Sequence, residues 1–263
     1  MANADKGAIN QEKETFMGTL ITETPYSEIT ATIELLDRWG VDRKDLTNFR
    51  KASSFVHQEV VNFIKFGDRT DETNTDVTIK KYLQNYFKEV FKLKFNLSKL
   101  KFPQKDGFNA YMVVSPQSQL NEDQIMNGFV KKWGIKVYKH LTPVAQKINR
   151  DAEQPRPEGL YIFAHRGGDE PDAQHLGKSY NVAKGENILF ANAKEYLLIT
   201  GFHKYLKGYF MDKEGWTRTS SLWSDVKSVH GYWGEGDGRL YLHCGRPDSS
   251  GSNNGPRELV LVS

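Results

Sequence analysis

The sequence has very little cysteine and no long apolar run. Cys244 is the single cysteine among 263 residues, which excludes an intramolecular disulfide and a zinc site built from several cysteines. No apolar stretch approaches the roughly 20 residues that a bilayer-spanning helix needs, so we expect no insertion into a membrane. Residues 1–16 are polar and lack the apolar centre of a signal peptide, so none is expected. The sequence assigns no location, and carriage on a viral particle and export both stay open.

An excess of charge of one sign is also missing. The formal net charge is +3, with 16 basic and 15 acidic side chains in residues 1–104 and 20 and 18 in residues 105–263. Proteins that bind the phosphates of nucleic acids usually carry a clear basic excess on the binding domain. The even balance therefore predicts that nucleic acid is not a partner.

Motifs of the common enzyme classes are absent too. The sequence contains no Gly-x-Ser-x-Gly elbow, no His-Glu-x-x-His pair and no phosphate-binding loop. The glycine-rich run 234–238 does not lie between a predicted strand and a predicted helix, as phosphate binding at a helix start requires. We predict a protein that is not an enzyme, with no catalytic residue, no cofactor and no metal site.

One cluster of polar side chains keeps a metal-using enzyme as an alternative. It follows a predicted strand and comprises His165, Asp169, Glu170, Asp172 and His175. Carboxylates and imidazoles of this kind are ligands for several divalent metals. A solvated polar loop, turned by two successive glycines, is the simpler interpretation and the one we favour.

Apolar spacing predicts a helical N-terminal domain over residues 1–104, which opens with a flexible arm over residues 1–24. Short helical patterns follow within 27–64, and residues 78–91 carry the widest apolar stripe, at the spacing of one helix face. A helix-turn-helix over 27–50 is an alternative that would make the chain a DNA-associated regulator. Its second helix has few side chains suited to reading bases, so we favour a packed helical domain.

The rest of the chain, residues 105–263, is typical of a mixed domain. Asn121, with Gln124 three residues later, forms the signature of a helix start. The predicted elements are strand 109–115, helix 121–133, strand 135–138, a charged loop at 150–158, strand 159–165, helix 189–205, a loop-rich β region and a terminal strand at 258–262. Strands that do not alternate regularly with helices predict an α+β fold.

The end of the chain uses an unusually narrow set of residues. The first 227 residues contain 25 lysines and residues 228–263 contain none, while residues 236–257 also lack Glu, Gln, Met and Trp. Every residue in 236–257 can be encoded by a codon that ends in a pyrimidine, and the five missing types cannot. A surface loop rich in glycine and serine is the simpler interpretation. Adenine mutagenesis of AAY codons would leave the same restriction.

Several motifs in the C-terminal part point to a known family. They are Trp-Thr-Arg-Thr-Ser-Ser-Leu-Trp at 216–223, Val-His-Gly-Tyr-Trp at 229–233, Gly-Arg-Leu-Tyr-Leu at 238–242, Gly-Pro-Arg-Glu-Leu-Val-Leu-Val at 255–262 and His-Arg-Gly-Gly-Asp-Glu-Pro-Asp at 165–172. On these motifs, residues 107–263 resemble the variable proteins of diversity-generating retroelements. The resemblance implies a C-type-lectin-like domain over residues 105–263, behind the predicted helical N-terminal domain. It also implies a ligand-binding protein whose surface residues differ from copy to copy.

The resemblance further implies a fixed frame and a diversified binding surface. The frame would consist of Trp216, Trp223, Trp233, Leu240, Leu242, Leu259 and Leu261. The ligand-binding surface would consist of Ser228, His230, Tyr232, Asp237, Tyr241, His243, Cys244, Arg246, Asp248, Ser250, Ser252, Asn253 and Asn254. Alternation over 240–243 independently predicts a strand with its two leucines inward and its tyrosine and histidine outward.

A diversified surface of this composition resembles an antibody paratope. Tyrosine supplies a large contact area at low entropic cost, and Ser, Gly and Asn supply adaptable hydrogen bonds. The ligand would be a protein or a cell-surface molecule that belongs to this one variant. The N-terminal domain would attach the binder to a particle, a membrane partner or another subunit, and the sequence indicates no oligomeric state.

Overall fold

The structure, a computed structural model, describes residues 72–139 and 142–262. The predicted arm at 1–24, the short helices within 27–64 and the helix-turn-helix alternative lie outside the described residues. The described residues form a mixed α+β fold with a curled β-sheet half-barrel and a few helices, which confirms the predicted α+β class. None of their helices combines the length and the apolar character needed to span a membrane.

Five α-helices occur in the part of the chain that the structure describes. They are α1 (Glu72–Tyr86), α2 (Glu122–Trp133), α3 (Val144–Lys147), α4 (Tyr180–Gly185) and α5 (Ala193–Lys207), and a π-helical turn at Phe87–Phe91 continues α1. The predicted capping box opens α2, because Asn121 accepts a hydrogen bond from the amide of Gln124 and the Gln124 side chain accepts one from the amide of Asn121. Asn192 and Glu195 form the same reciprocal box at the start of α5.

Nine strands of the described residues build two sheets. They are β1 (Ala110–Val114), β2 (Lys136–Lys139), β3 (Ile148–Asn149), β4 (Tyr161–His165), β5 (Trp216–Trp223), β6 (Lys227–Gly234), β7 (Arg239–Gly245), β8 (Asn254–Pro256) and β9 (Leu259–Leu261). The smaller sheet has the order β1-β4-β9 and is antiparallel. The larger sheet has the order β2-β7-β6-β5-β3, with β2 parallel to β7, and β8 pairs in parallel with β5.

Helix α5 holds the larger sheet in place from its inner side. Tyr196 on this helix is fully buried, and its ring lies against Gly231 of β6. A Cβ atom on Gly231 would lie 1.9 Å from Cε1 of Tyr196, so a larger residue cannot be accommodated there without displacing the helix or the strand. On the other side of the same helix, a Cβ on Gly201 would lie 2.2 Å from the Phe129 ring of α2.

The main core extends across the domain boundary that the sequence predicts after residue 104. Leu83, Tyr86 and Phe87 are fully buried in the same cluster as Met112 of β1. The Tyr86 hydroxyl also donates a hydrogen bond of 3.3 Å to the carbonyl of Leu198 in α5. The end of α1 and the turn after it therefore belong to the same packed body as the sheets.

The charged loop before β4 is fixed by a buried ionic network. Arg156 donates hydrogen bonds of 2.6 and 2.9 Å to the two carboxylate oxygens of Glu195, and the Tyr161 hydroxyl donates another of 2.7 Å. The Glu195 side chain is fully buried. Ser221 of β5 donates to Glu153 of the same loop. The loop therefore ties the start of α5 to the larger sheet.

Most of the predicted frame lies in the core. Trp233 and Leu261 are partly buried and pack against the core, and the Trp233 ring stacks 4.6 Å from that of Phe210. The fully or almost fully buried frame residues are Trp223, Leu240, Leu242 and Leu259. Trp216 is the exception, because its ring stacks on that of Tyr232 on the outer side of the larger sheet.

Candidate ligand-binding face

A row of four aromatic side chains crosses the outer side of the larger sheet. Tyr138 on β2 pairs in register with Tyr241 on β7, and Tyr241 pairs with Tyr232 on β6. Trp216 on β5 completes the row, with its ring stacked on that of Tyr232. Because side chains at directly paired positions point to the same side of a sheet, the four rings form a continuous strip.

The rings of this row touch one another. Ring centroids are 5.3 Å apart for Tyr138 and Tyr241, 4.5 Å for Tyr241 and Tyr232, and 4.5 Å for Tyr232 and Trp216. The last two pairs lie within 7° and 3° of parallel. Parallel rings at the spacing of neighbouring strands stand upright on the sheet, so their edges face outward. Since ring edges carry partial positive charge, the row favours carbonyls, carboxylates and the faces of other rings.

Two histidines form a second row beside the first. His243 on β7 pairs in register with His230 on β6, and His230 pairs with Arg218 on β5. The His230 ring lies 4.8 Å from that of Trp216 and 5.4 Å from that of His243. We call the six rings of both rows the aromatic face: Tyr138, Trp216, His230, Tyr232, Tyr241 and His243.

A charged group lies at one end of the aromatic face, in the turn between β6 and β7. Asp237 accepts a hydrogen bond from the Tyr241 hydroxyl, and it lies 3.6 Å from the guanidinium of Arg239. The hydrogen bond to Asp237 raises the pKa of Tyr241, so this phenol is protonated at neutral pH. Lys136 of β2 pairs in register with Arg239. Two cations and one carboxylate therefore flank the tyrosines.

A buried guanidinium lies beside the histidines. Arg218 is 3% exposed, and its Nη1 donates a hydrogen bond of 3.0 Å to Oγ of Ser228. Burial lowers the pKa of Arg218, and no described carboxylate forms a salt bridge with it. Burial, together with the charges of Arg218 and His243, lowers the pKa of His230 to about 3. His230 is therefore neutral near pH 7, and Arg218 supplies the local positive charge.

The loop of residues 246–253 extends this side of the molecule. It leaves β7 next to Ser228 and enters β8 next to Trp216, on the far edge of β5. The amide of Trp216 donates a hydrogen bond of 3.3 Å to the carbonyl of Asn253, which fixes the end of the loop. Most of its polar side chains are exposed. The loop and the aromatic face are therefore joined at both ends of the loop.

The structure brings most of the predicted binding residues to this side of the sheet. Ser228 and His230 lie there but are buried, with exposed fractions of 0% and 6%. Partly exposed on the sheet are Tyr232, Tyr241, His243 and Asn254, and exposed in the turn and the loop are Asp237, Arg246, Asp248, Ser250, Ser252 and Asn253.

Cys244 does not belong to this surface, and its assignment to the binding surface is corrected. Strand β7 alternates, and Leu240, Leu242 and Cys244 form its buried side. Cys244 is 6% exposed and packs in the main core, where burial raises the pKa of its thiol. The two-residue period of a strand places it inward whenever Tyr241 and His243 point outward.

Two members of the aromatic face were not predicted as binding residues. Trp216 was assigned to the buried frame, yet its ring stacks on Tyr232 and His230 on the outer side. Tyr138 was not assigned any role, although it is 38% exposed next to Tyr241. Alternation over 136–139 is a weak signal for Tyr138, but the parallel pairing with β7 that brings it to this surface has no local signature.

The polar loop after β4, the predicted alternative site, is held by contacts within the protein. Asp169 accepts hydrogen bonds from Tyr209, His203 and Lys207 at 2.8, 2.9 and 3.0 Å. Burial opposes ionisation of this carboxyl group, but the hydrogen bonds from Tyr209, Lys207 and His203 together outweigh it and hold the pKa of Asp169 well below its usual value. Its carboxylate therefore fixes the end of α5.

The other carboxylates of that loop fix the backbone of neighbouring segments. Glu170 accepts hydrogen bonds from the amides of residues 213–215, and Asp172 accepts one of 2.7 Å from the amide of Glu258. His175 contacts the Glu258 carboxylate at 3.1 Å. Among residues 72–139 and 142–262, no group of three His, Cys, Asp or Glu side chains is placed to hold a metal ion.

These observations define a mixed α+β protein with a continuous aromatic face on its larger sheet. The face is bordered by a polar loop and by cations, and a buried arginine lies beneath it. No family model, curated protein or solved structure matches the chain.

Proposed function

We propose that this protein binds a ligand through the aromatic face and the loop of residues 246–253. We further propose that it is a variable protein of a diversity-generating retroelement, with a C-type-lectin-like domain as the scaffold. The observation that carries the proposal is the position of the narrow-composition segment, residues 236–257. Within its strand, Tyr241 and His243 belong to the aromatic face, whereas Leu240, Leu242 and Cys244 lie in the core.

This separation of buried and outward positions suits a surface whose residues change while the fold stays constant. Leu240 and Leu242 pack in the core and stabilise the sheet irrespective of what the neighbouring positions carry. Exposed side chains such as Ser250 and Ser252 make few contacts with the rest of the protein, and substitutions at such positions usually change stability by less than about 0.5 kcal/mol. Ligand specificity can therefore change without loss of the fold.

The chemistry of the face favours a protein ligand that is rich in acceptors and carboxylates. Upright aromatic rings offer their positive edges, and the four cations Lys136, Arg218, Arg239 and Arg246 outnumber the two carboxylates of the face and the loop, Asp237 and Asp248. Aromatic residues and arginine are also the side chains that contribute most to the affinity of protein interfaces. A partner of this kind fits the predicted protein or cell-surface ligand.

A display experiment on the full chain tests the proposal. One library randomises Tyr241, His243, Ser250, Ser252 and Asn253 with codons that end in a pyrimidine, and selection uses lysozyme as the target. A control library randomises the same number of exposed positions elsewhere, including Lys88, Lys131 and Lys147. We expect folded binders from the first library and none from the control. An unfolded first library, or binders arising equally from both, would contradict the proposal.

A further inference from the structure

A pocket of about 430 Å³ lies away from the aromatic face, between α1, α5 and the residues that follow β4. Its volume is within the range of small-molecule sites. Most of its wall is apolar, and the apolar side chains include Ile79, Ile199, Phe202, Leu206 and Met211. The polar groups His165, Arg166 and Lys207 also line it. An apolar wall with a few polar groups is typical of a site for a small amphipathic molecule.

The charges that line this pocket are all of one sign. Arg166 and Lys207 are cations, and the lining residues include no carboxylate. Their acidic partners, Glu258 for Arg166 and Asp169 for Lys207, are not among the lining residues. Both cations are ion-paired but remain partly exposed, so their remaining N–H groups can donate hydrogen bonds to an anion.

A hydrogen-bond donor is also available in the pocket. Nδ1 of His165 accepts a hydrogen bond of 3.1 Å from the amide of Gly167, so the proton of the neutral ring is on Nε2. Burial, with the charge of Arg257, lowers the pKa of His165 to about 3. Nε2 makes no hydrogen bond with any residue that the structure describes. A neutral N–H donor is thus left for a ligand.

The backbone next to this donor is held in a fixed position. Arg257 is 1% exposed, forms an ion pair with Asp212, and donates hydrogen bonds of 3.2 and 3.3 Å to the carbonyls of Gly167 and Gly168. Lys207 is oriented by its 3.0 Å contact with Asp169. A site whose polar groups are ordered before binding loses less entropy when the ligand arrives.

We propose that this pocket binds a small organic anion with an apolar body, such as an unbranched carboxylic acid of about eight carbons. The carboxylate accepts a hydrogen bond from Nε2 of His165 and lies near Lys207. The alkyl chain packs along Phe202 and the neighbouring aliphatic side chains of α5. This second site is independent of the aromatic face and of the function proposed for that face.

Isothermal titration calorimetry of the full chain with octanoate and with 1-octanol tests this proposal. The two probes share the alkyl chain, so their difference reports the carboxylate. A charge-assisted hydrogen bond and two nearby cations predict that octanoate binds at least about tenfold more tightly than octanol. Absence of octanoate binding, or equal affinity for the two probes, would overturn the proposal.

Three variants locate the binding site. Lys207→Gln should weaken octanoate binding by about fivefold and leave octanol binding unchanged, because it removes a rim cation. His165→Phe should weaken octanoate binding while keeping a ring of similar size. Lys147→Gln, at an exposed position outside the pocket, is the matched control and should bind like the wild type. Since Lys207 is half-exposed and its variant is expected to fold, equal binding by Lys207→Gln and Lys147→Gln would refute the site.

Discussion

Trp216 and Tyr232 lie on neighbouring strands with their ring centroids 4.5 Å apart and their planes within 3° of parallel. Tyr241 stacks on the other side of Tyr232 at the same distance. Tyr232 is therefore the central ring of the strip across the larger sheet. Aromatic pairs of this kind contribute about 0.5–1.5 kcal/mol each beyond the burial of their area.

The central position of Tyr232 predicts the effect of truncating it. Tyr232→Ala removes both stacking contacts and should lower the free energy of unfolding by about 1–3 kcal/mol. Tyr232→Phe keeps the ring and both stacking contacts, so its free energy of unfolding should stay within about 0.5 kcal/mol of that of the wild type. Urea denaturation of the full chain measures both values. An alanine variant as stable as the phenylalanine variant would show that the strip does not stabilise the sheet.

The contact between Gly231 and Tyr196 predicts a second stability difference. A methyl group at Gly231 would collide with the Tyr196 ring, so Gly231→Ala should destabilise the protein by about 1–3 kcal/mol through overpacking. Gly236→Ala is the matched control in the next turn, since an added Cβ there meets nothing within 4 Å. Thermal denaturation compares the two variants. Equal melting temperatures would argue against this packing of α5 on the larger sheet.

Parts of this fold could be read from the sequence because their causes are local. The capping box at Asn121 and Gln124 depends on residues three apart, and the outward positions of Tyr241 and His243 follow from alternation along one strand. The position of Tyr138 on the aromatic face could not be predicted from the sequence. It results from the parallel pairing of β2 with β7, a strand about a hundred residues later in the chain. Trp216 was assigned to the buried frame from the resemblance, whereas its ring contacts those of Tyr232, His230 and His243 on the outer side of the sheet.

Two buried histidines predict how stability depends on pH. Burial lowers the pKa of His165 and of His230 to about 3 in the folded protein, against 6.5 ordinarily. Between pH 6.5 and 3 the unfolded chain therefore binds protons that the folded chain does not, so the free energy of unfolding falls as pH falls. Each histidine contributes a slope of up to about 1.4 kcal/mol per pH unit.

A variant separates these histidines from the carboxylates that titrate at lower pH. His230→Gln removes the imidazole beside Arg218 and His243. Between pH 6.5 and 5, the free energy of unfolding of this variant should therefore depend less steeply on pH, by the slope that corresponds to about one bound proton. The measurement is urea denaturation at half-unit steps of pH. A variant curve parallel to that of the wild type over this range would mean that His230 is protonated in the folded protein.

The inward position of Cys244 predicts its reactivity. A thiol that is 6% exposed and has a raised pKa should react slowly with Ellman's reagent in the native protein and rapidly in urea. Cys244 is the single cysteine, so the absorbance change reports this residue alone. We expect the native rate to be at least about a hundredfold lower than the unfolded rate. Similar rates in both conditions would show that the Cys244 thiol is exposed on the outer surface, as predicted from the sequence.

The nucleotide sequence of the gene, with the few kilobases beside it, tests the proposed diversification most directly. We predict codons ending in a pyrimidine at the outward positions of 236–257, a nearby near-copy of this segment with adenines at the mismatched sites, and a neighbouring reverse transcriptase gene. Purine-ending codons scattered through the segment, with no second copy nearby, would contradict the diversification and leave an aromatic binding face of fixed sequence.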